Sequence, residues 1–214
     1  MRGIIALNKQ VHQNGSSFAD TEQGMKTIGT EELVLMVQKG DENAFDMLFE
    51  RYKNEAVRTA FLITGNQSIC EDIAQEAFIK CYGSIGGLDN PKAFRAWFYR
   101  ILTRIAWKYG KAAGRETADE DIIEKADAAC TDISFERHMR SEINRLLYSE
   151  ISRLEPRKKA VIVLYYFDGL STKEIASALN CFEGTVKSRL HSAREELKKA
   201  LKALDADEKE WNIC

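Results

Sequence analysis

Apolar residues recur at helical spacing in two parts of the chain, and a stretch without that pattern separates them. The first pattern is formed by Phe45, Leu48, Phe49, Tyr52, Ala56 and Ala60. It resumes near Met139 with Ile143, Leu146, Leu147, Ile151 and Leu154. Apolar positions three and four residues apart share one face of an α-helix, so both parts predict helices that bury one side. The 214 residues include only 13 glycines and 2 prolines, which leaves little turn chemistry for a many-stranded sheet.

Charge is strongly segregated along the chain, although the formal net charge is only −2. Residues 92–115 contain seven basic side chains and no acid, whereas residues 116–136 contain eight acids and one lysine. The acidic stretch has few large apolar residues and no sustained period, which is typical of a flexible linker. We therefore predict an all-α fold of two small helical domains joined by a flexible acidic linker. The predicted division is a disordered leader at 1–29, a first domain at 30–113, the linker at 114–138, a second domain at 139–204 and a tail at 205–214.

The five cysteines form no CxxC pair and no His/Cys cluster, so we expect reduced thiols in a cytoplasmic protein. Cys70 and Cys81 fall within a helical pattern and are expected to be buried and inert. The apolar patch at 4–7 is too short for a secretory signal, and no stretch approaches a membrane span, so no membrane insertion is expected. Met25 directly precedes the first periodic segment. Translation from Met25 is therefore an alternative to translation from Met1, and the intact mass of the native protein distinguishes the two.

Residues 170–194 have the pattern of a helix-turn-helix. Ser171 or Thr172 can cap the first helix with Glu174 in its first turn, and Asn180 occupies a turn position that needs the left-handed conformation. The second helix has a narrow apolar stripe, made of Val186, Leu190, Ala193, Leu197 and Leu201. Basic and hydroxyl side chains project from the rest of that helix, as major-groove docking requires. The competing interpretation is an ordinary amphipathic helix with a solvated basic face.

A second basic element is the helix predicted from about Lys92 to Ala112. Five of its cations recur at three-and-four spacing within a stripe about 80° wide: Arg100, Arg104, Lys108, Lys111 and Arg115. Trp97 lies within that stripe in projection, while Phe94, Phe98, Ile101 and Ile105 form a separate apolar stripe. Cations in line match a phosphate backbone, and aromatic rings among them offer stacking faces to unpaired bases. Packing in the core is the alternative role for Trp97.

A third element is the helix predicted at about Ser68–Tyr82, on which three polar residues share one face. Asp72, Gln75 and Glu76 lie apart from Ile73 and Phe78 in projection. Without further context, such a face indicates only exposure to solvent.

These stretches together resemble the sigma-70 family of RNA polymerase sigma factors, and specifically its extracytoplasmic-function (ECF) subfamily. The resemblance rests on GDENAFDMLFERY, EDIAQEAFIKCY, AFRAWFYRI and EIASALNCFEGTVKSRLHSAREEL, which occur in the family's order. It covers roughly residues 31–204 apart from the linker. It implies that 30–113 corresponds to sigma region 2 and 139–204 to sigma region 4. It also implies that the protein binds core RNA polymerase, directs it to promoters and helps to melt the minus-ten element.

The resemblance implies three sets of site residues. Docking on the beta-prime subunit of core polymerase would use Asp72, Gln75, Glu76 and Phe78. Contacts to the minus-ten element would come from Asn90, Lys92, Arg95, Trp97, Arg100, Arg104 and Lys108, with Asn90 a candidate to receive a flipped base. Contacts to the minus-thirty-five element would come from Thr185, Lys187, Ser188, Arg189, His191 and Arg194. The expected partners are the beta-prime and beta subunits of the polymerase, promoter DNA and an anti-sigma factor.

The sequence departs from the family's pattern in two places. Residues 102–108 read LTRIAWK where many relatives have an Asn and an Asp, which affects the expected minus-ten contacts. Cys181-Phe182 replaces the commoner Val-Pro type of turn, which indicates altered packing before the recognition helix.

Three other classes of protein are alternatives to a sigma factor. A DNA-binding activator would have a receiver or ligand domain, which the cationic, all-helical first half does not resemble. An enzyme would need a catalytic or phosphate-binding motif, and GxxxxGK, HExxH and GxSxG are all missing from the sequence. No cofactor and no metal site are expected, since His191 has no His or Cys neighbour. An adaptor without promoter activity is the alternative that the sequence excludes least.

Overall fold

The computed structural model describes residues 28–116 and 142–211, which we call the N-terminal half and the C-terminal half. The N-terminal half contains α1 (Thr30–Gln38), α2 (Glu42–Thr64), α3 (Cys70–Ser84) and α4 (Phe94–Glu116), with short 3₁₀ turns at Gln67–Ile69, Ile85–Gly87 and Pro91–Ala93. The C-terminal half contains α5 (Glu142–Arg153), α6 (Pro156–Tyr166), α7 (Thr172–Leu179) and α8 (Glu183–Trp211). The described ranges contain no strand, which confirms the all-α fold. Most of the predicted leader and linker, including Met25, lies outside them.

The helix boundaries follow local capping chemistry. The carboxylate of Asp41 accepts a hydrogen bond from the Ala44 amide at 3.2 Å and begins α2. Gly65 ends α2 in the left-handed conformation with φ 71°, which glycine adopts without strain. Thr30 followed by Glu31 and Glu32 has the sequence pattern of a helix N-cap, but Gly29 occupies the cap position of α1 without a side-chain bond. The Thr30 hydroxyl instead accepts a hydrogen bond from Arg51 Nη1 at 2.9 Å.

Aromatic rings form the centre of the N-terminal half. Phe98 of α4 is 0% exposed, and its ring centroid lies 4.9 Å from that of Phe78, 5.9 Å from that of Phe94 and 6.0 Å from that of Tyr52. These four rings come from α2, α3 and α4, so they join the helices that the sequence pattern predicts separately. Cys70 and Cys81 are buried in the same core, as expected, and burial raises the pKa of the Cys81 thiol to about 12.

The helices differ from the sequence prediction mainly at their ends. α4 continues to Glu116 and α8 to Trp211, beyond the predicted ends near Ala112 and Leu204. α5 begins at Glu142, a few residues after the predicted resumption at Met139. Ends are difficult to predict because a terminal turn makes few of the apolar contacts on which the periodic pattern depends.

The two halves pack against each other and share one continuous apolar core. α7 lies against α4, while α5 and α6 lie against α2. The sequence predicted two domains joined by a flexible tether, and it contains no signal for this contact. The contact places the first helix of the C-terminal helix-turn-helix directly beside the basic helix of the N-terminal half.

Candidate nucleic-acid interface

The helix-turn-helix at α7 and α8 has the local chemistry that the sequence predicts. The Ser171 hydroxyl accepts a hydrogen bond from the Glu174 amide at 3.2 Å, and the Glu174 carboxylate accepts one from the Ser171 amide at 2.8 Å. This reciprocal capping box, in which Ser171 rather than Thr172 is the cap, begins α7. Asn180 ends α7 in the left-handed conformation with φ 50° and ψ 55°. The capping box therefore fixes where α7 begins, and the left-handed backbone of Asn180 fixes where it ends.

The apolar stripe of α8 faces the core. Val186, Leu190, Ala193 and Leu197 are at most 3% exposed, and they fix the orientation of the helix. The opposite face is open: Lys187, Ser188 and His191 are all exposed. The Lys187 ammonium forms an ion pair with Glu183 at 2.8 Å on the same surface. An ion pair this exposed contributes little stability, so the ammonium is available to an external anion.

The remaining predicted residues of α8 are less exposed. Arg194 donates from Nε to the Tyr166 hydroxyl at 2.7 Å, and its guanidinium lies 5.4 Å from the ring centroids of both Tyr165 and Tyr166. Arg189 is half-buried, with Nη1 3.9 Å from the Cys181 sulfur. The structure therefore places Lys187, Ser188 and His191 on the open surface, while Arg189 and Arg194 are partly engaged within the C-terminal half.

The basic helix α4 divides into an exposed and an occupied part. Arg104 and Lys108 are exposed, and Lys92 is exposed just before the helix. Arg95 donates from Nη2 to the backbone carbonyl of Asp168, and Arg100 donates from Nε and Nη2 to the carbonyl of Ser177 at 3.1 and 2.5 Å. Two of the predicted minus-ten residues are thus bound to the C-terminal half, which sequence periodicity alone does not indicate.

Trp97 and Asn90 take local structural roles in the same region. Trp97 is half-buried, packs against the core and lies 6.1 Å from Phe94 between ring centroids. The Asn90 side chain accepts a hydrogen bond from the Lys92 amide at 3.1 Å and caps the turn at Pro91–Ala93. Asn90 remains exposed, so its amide NH₂ group is open to a ligand.

The residues predicted for docking on core polymerase differ in their exposure on α3. Asp72 and Gln75 are exposed, and Glu76 is half-buried and ion-paired with Lys80 at 2.6 Å. The Lys80 hydrogen bond is the main cause that lowers the pKa of Glu76. Phe78 is only 4% exposed, and its ring centroid lies 4.8 Å from that of Phe49. Its ring therefore packs inside the N-terminal half and is not exposed beside Asp72 and Gln75.

One buried polar cluster was not predicted. Asp168, in the turn between α6 and α7, has a carboxylate with no exposed surface. It accepts hydrogen bonds from the Thr59 hydroxyl at 2.8 and 3.0 Å and lies 3.5 Å from Arg58 Nη2. In the sequence, Asp168-Gly169 predicts only a turn. Local pattern gives no sign of the partners of Asp168 on α2, because they are more than a hundred residues away.

Neither a metal centre nor a membrane span is found in the part of the chain that the structure describes. Residues 28–116 and 142–211 hold no group of three or more His, Cys, Asp or Glu side chains placed to bind a metal ion. Within the same ranges, no helix combines the length and the apolarity that crossing a membrane requires.

Two family matches cover the two helical halves. Sigma-70 region 2 matches residues 48–116, and Sigma-70 region 4 matches residues 144–197. The second match includes α7 and the part of α8 up to residue 197, and the first includes the acidic face of α3 and the basic helix α4.

Curated relatives match over most of their length. The RNA polymerase sigma-H factor of Pseudomonas aeruginosa is 36% identical over 182 residues, which cover 81% of this chain and 94% of the relative. The ECF RNA polymerase sigma-E factor of Haemophilus influenzae is 35% identical, covering 80% of this chain and 95% of the relative. The ECF RNA polymerase sigma factor SigW of Bacillus subtilis is 34% identical, covering 80% and 96%.

Solved structures show the same fold. CnrH in complex with the cytosolic domain of CnrY is similar with a TM-score of 0.62 and 22% identity, over 81% of this chain and 97% of that one. The sigma factor RpoE in complex with the anti-sigma factor NepR from Bartonella quintana gives a TM-score of 0.58 and 20% identity, over 74% and 96%. With both regions matched in order and relatives above 30% identity over nearly their full length, the chain belongs to the ECF subfamily of sigma-70 factors, which are transcription initiation factors and not enzymes.

Proposed function

We propose that this chain binds core RNA polymerase, directs it to specific promoters and helps to melt the minus-ten element. The observation that carries the proposal is the exposed face of α8, which presents Lys187, Ser188 and His191 to solvent. The buried apolar stripe on the other side of the helix fixes the orientation of this face. A helix presented in this way fits the major groove, and its N-terminal residues reach base edges. We assign this face to the minus-thirty-five element, with Thr185, Arg189 and Arg194 at its margins.

The basic helix α4 supports the assignment of the minus-ten element to the N-terminal half. Arg104 and Lys108 are exposed cations four residues apart on one side of the helix. Asn90 and Lys92 are exposed at its start. A row of cations neutralises phosphates in sequence, while an amide group can hydrogen-bond an unpaired base. Arg95 and Arg100 would join this surface once they are released from the C-terminal half.

The exposed acidic face of α3 supports docking on core polymerase. Asp72 and Gln75 lie three residues apart on the same face, beside Glu76. The ring of Phe78 packs the buried side of the same helix into the core. Polar groups of this kind give orientation and specificity to an interface more than raw affinity. The two solved structures described above are both complexes, one of them with a protein named as an anti-sigma factor. We therefore propose an anti-sigma factor as a further partner of this chain.

Run-off transcription with purified core polymerase tests the proposed function. The reconstituted enzyme should produce promoter-dependent transcripts from a fragment library of the source genome, and core polymerase alone should not. If core polymerase binds the chain but no promoter gives a transcript, the chain is an adaptor that lacks promoter activity.

Lys187→Ala combined with Arg189→Ala should reduce holoenzyme binding to a transcribed promoter about tenfold or more. Each good contact to a base edge contributes roughly 1–3 kcal/mol of discrimination, and removing the two cations also weakens phosphate contacts. The measurement is the apparent Kd of the holoenzyme for promoter duplex at fixed salt. Lys198→Ala is the matched control, because Lys198 is a similarly exposed lysine three turns further along α8. An equal loss on a template with a scrambled upstream element would contradict the assignment to that element.

Asp72→Ala combined with Gln75→Ala should weaken binding to core polymerase about tenfold. Both side chains are exposed, so the change should leave the fold intact. The affinity is measured by titrating labelled chain with core polymerase. Glu42→Ala combined with Asn43→Ala is the control, since it also removes one exposed acid and one exposed amide, but from α2. If both double variants bind as tightly as the unchanged chain, the acidic face of α3 is not the docking surface.

A further inference from the structure

The loop between α3 and α4 contains two adjacent glycines that its fold does not require. The loop spans residues 85–90 and begins with the 3₁₀ turn at Ile85–Gly87. Neither Gly86 nor Gly87 has a left-handed backbone, and a Cβ atom added at either position would meet nothing within 4 Å. Because glycine loses more backbone freedom on ordering than other residues, this pair favours a mobile loop unless a contact from outside restrains it.

Gln38, the last residue of α1, supplies such a contact. Its Nε2 atom donates to the Ile85 carbonyl and to the Leu88 carbonyl, both at 2.9 Å. A primary amide has two N–H donors, so both of them are used by these two carbonyls. The carbonyls lie on either side of the glycine pair, and one side chain therefore ties together the two ends of the flexible part of the loop.

The helix that carries Gln38 is a firm base for this contact. Leu33, Val34 and Val37 of α1 are at most 7% exposed, and α1 lies beside both 3₁₀ turns that connect α3 with α4. The side chains of Ile85 and Leu88 are also buried in the core. Apolar packing thus anchors the two side chains, while the Gln38 amide fixes the backbone that runs between them.

The restrained backbone leads directly to Asn90, two residues after Leu88. The Asn90 side-chain oxygen accepts a hydrogen bond from the Lys92 amide at 3.1 Å, and the residue remains exposed. The chain before Asn90 is therefore held by Gln38, and the chain after it by the turn at Pro91–Ala93. The position of the Asn90 amide depends on both.

We propose that Gln38 is a positioning residue for base selection in the minus-ten element. It acts through Asn90, by ordering the loop so that the Asn90 amide is presented to an unpaired base in one place. The inference rests on the proposed function, since it deepens the assignment of Asn90 to that element. Base edges carry sequence information, whereas phosphate contacts only position the nucleic acid. Gln38 therefore governs the choice of base, and the phosphate contacts of Arg104 and Lys108 on α4 do not depend on it.

The test is Gln38→Met, which keeps an unbranched side chain of similar length and removes both N–H donors. The probe is a fluorescein-labelled single strand with the non-template minus-ten segment of a promoter that the holoenzyme transcribes, and each base is replaced in turn. Asn90→Ala identifies the position that Asn90 reads, as the one where the preference between bases is lost. Gln38→Met should weaken the preference at that same position about fivefold, because a mobile loop presents Asn90 correctly in fewer molecules.

The affinity for probes with a disfavoured base at that position should stay unchanged in Gln38→Met. The dependence of binding on salt should also be unchanged, since its slope reports the number of neutralised phosphates. Gln67→Met is the matched control, because Gln67 is also a half-buried glutamine but lies in the turn at the other end of α3. It should leave the preference between bases as it is.

A rescue distinguishes loop order from a general structural effect. Gly86→Ala and Gly87→Ala, added to Gln38→Met, should restore the preference in part, because alanine narrows the backbone freedom of the loop and both positions have room for a methyl group. Circular dichroism and the thermal midpoint confirm that every variant is folded before its affinity is measured.

Three results would overturn the role of Gln38. One is a Gln38→Met holoenzyme with an unchanged preference at the Asn90 position. Another is an equal loss of affinity for all probes, which would indicate a general effect on the fold. The third is a triple variant that discriminates no better than Gln38→Met. An unchanged holoenzyme that binds all probes alike, or that gives no promoter-dependent transcript, would instead remove the proposed function, and the role of Gln38 with it.

Discussion

Replacing Phe98 with alanine should lower the free energy of unfolding by about 3–5 kcal/mol. The ring is 0% exposed and lies against Phe78, Phe94 and Tyr52 from three different elements of the N-terminal half. Its removal deletes a large buried surface and leaves a cavity that rigid helices fill only in part. Urea denaturation followed by circular dichroism measures the loss as a lower midpoint.

Phe182→Ala is the matched control for this change. It deletes the same atoms from a ring that is 87% exposed, in the turn before α8. Its effect on the free energy of unfolding should stay within about 0.5 kcal/mol, as is usual at exposed positions. Similar losses at the two positions would show that Phe98 is not at the centre of the core.

Raising the pH from 4 to 7 should lower the free energy of unfolding through Asp168. Burial is the largest cause that raises the pKa of this carboxyl, to about 6 from its ordinary value of 3.8, and the charge of Glu55 raises it further. Arg58, Thr59 and Tyr99 act in the opposite direction. Arg95 also faces the cluster, through the Asp168 carbonyl.

The sign follows from proton uptake. Between the two pKa values the folded chain holds a proton on Asp168 that the unfolded chain has released, so stability falls as the pH rises through this window. The contribution is fully present below pH 4 and is lost above pH 6. A pKa difference of this size corresponds to about 3 kcal/mol over the whole window, and to about 1 kcal/mol between pH 5 and pH 7.

Asp168→Asn isolates this group, because asparagine has nearly the same shape and does not titrate. The free energy of unfolding is measured for both chains from pH 4 to pH 7, and the difference between them cancels the other titrating groups. The unchanged chain should lose stability relative to the variant as the pH rises. A difference that is flat, or that favours the unchanged chain at high pH, would show that the Arg58 ion pair outweighs burial.

Local features of the sequence predict most of the fold and one of the candidate sites. The Ser171 capping box, the left-handed Asn180 and the buried stripe of α8 are all set by residues within a few positions of one another. Helix periodicity likewise places Asp72 and Gln75 on an exposed face. The sequence can predict these features without the tertiary arrangement, because their hydrogen bonds and residue spacing lie within one or two helices.

Tertiary contacts decided the rest. Periodicity places Phe78 on the apolar side of its helix, but only the tertiary structure shows that α2 and α4 enclose its ring. Arg95 and Arg100 belong to a basic stripe by spacing, yet they bind carbonyls 73 and 77 positions further along the chain. The burial of Asp168 also depends on a distant partner, since the Thr59 hydroxyl that binds it is 109 positions away.

The sequence by itself determined the all-α class, the helix-turn-helix and the charge of each helix. The tertiary structure decided which of those charges face solvent and which are used between the halves. The physical reason is that periodicity identifies the apolar face of a helix but not the neighbour of its polar face. A buried hydrogen bond between distant residues has no signature in the spacing of either one.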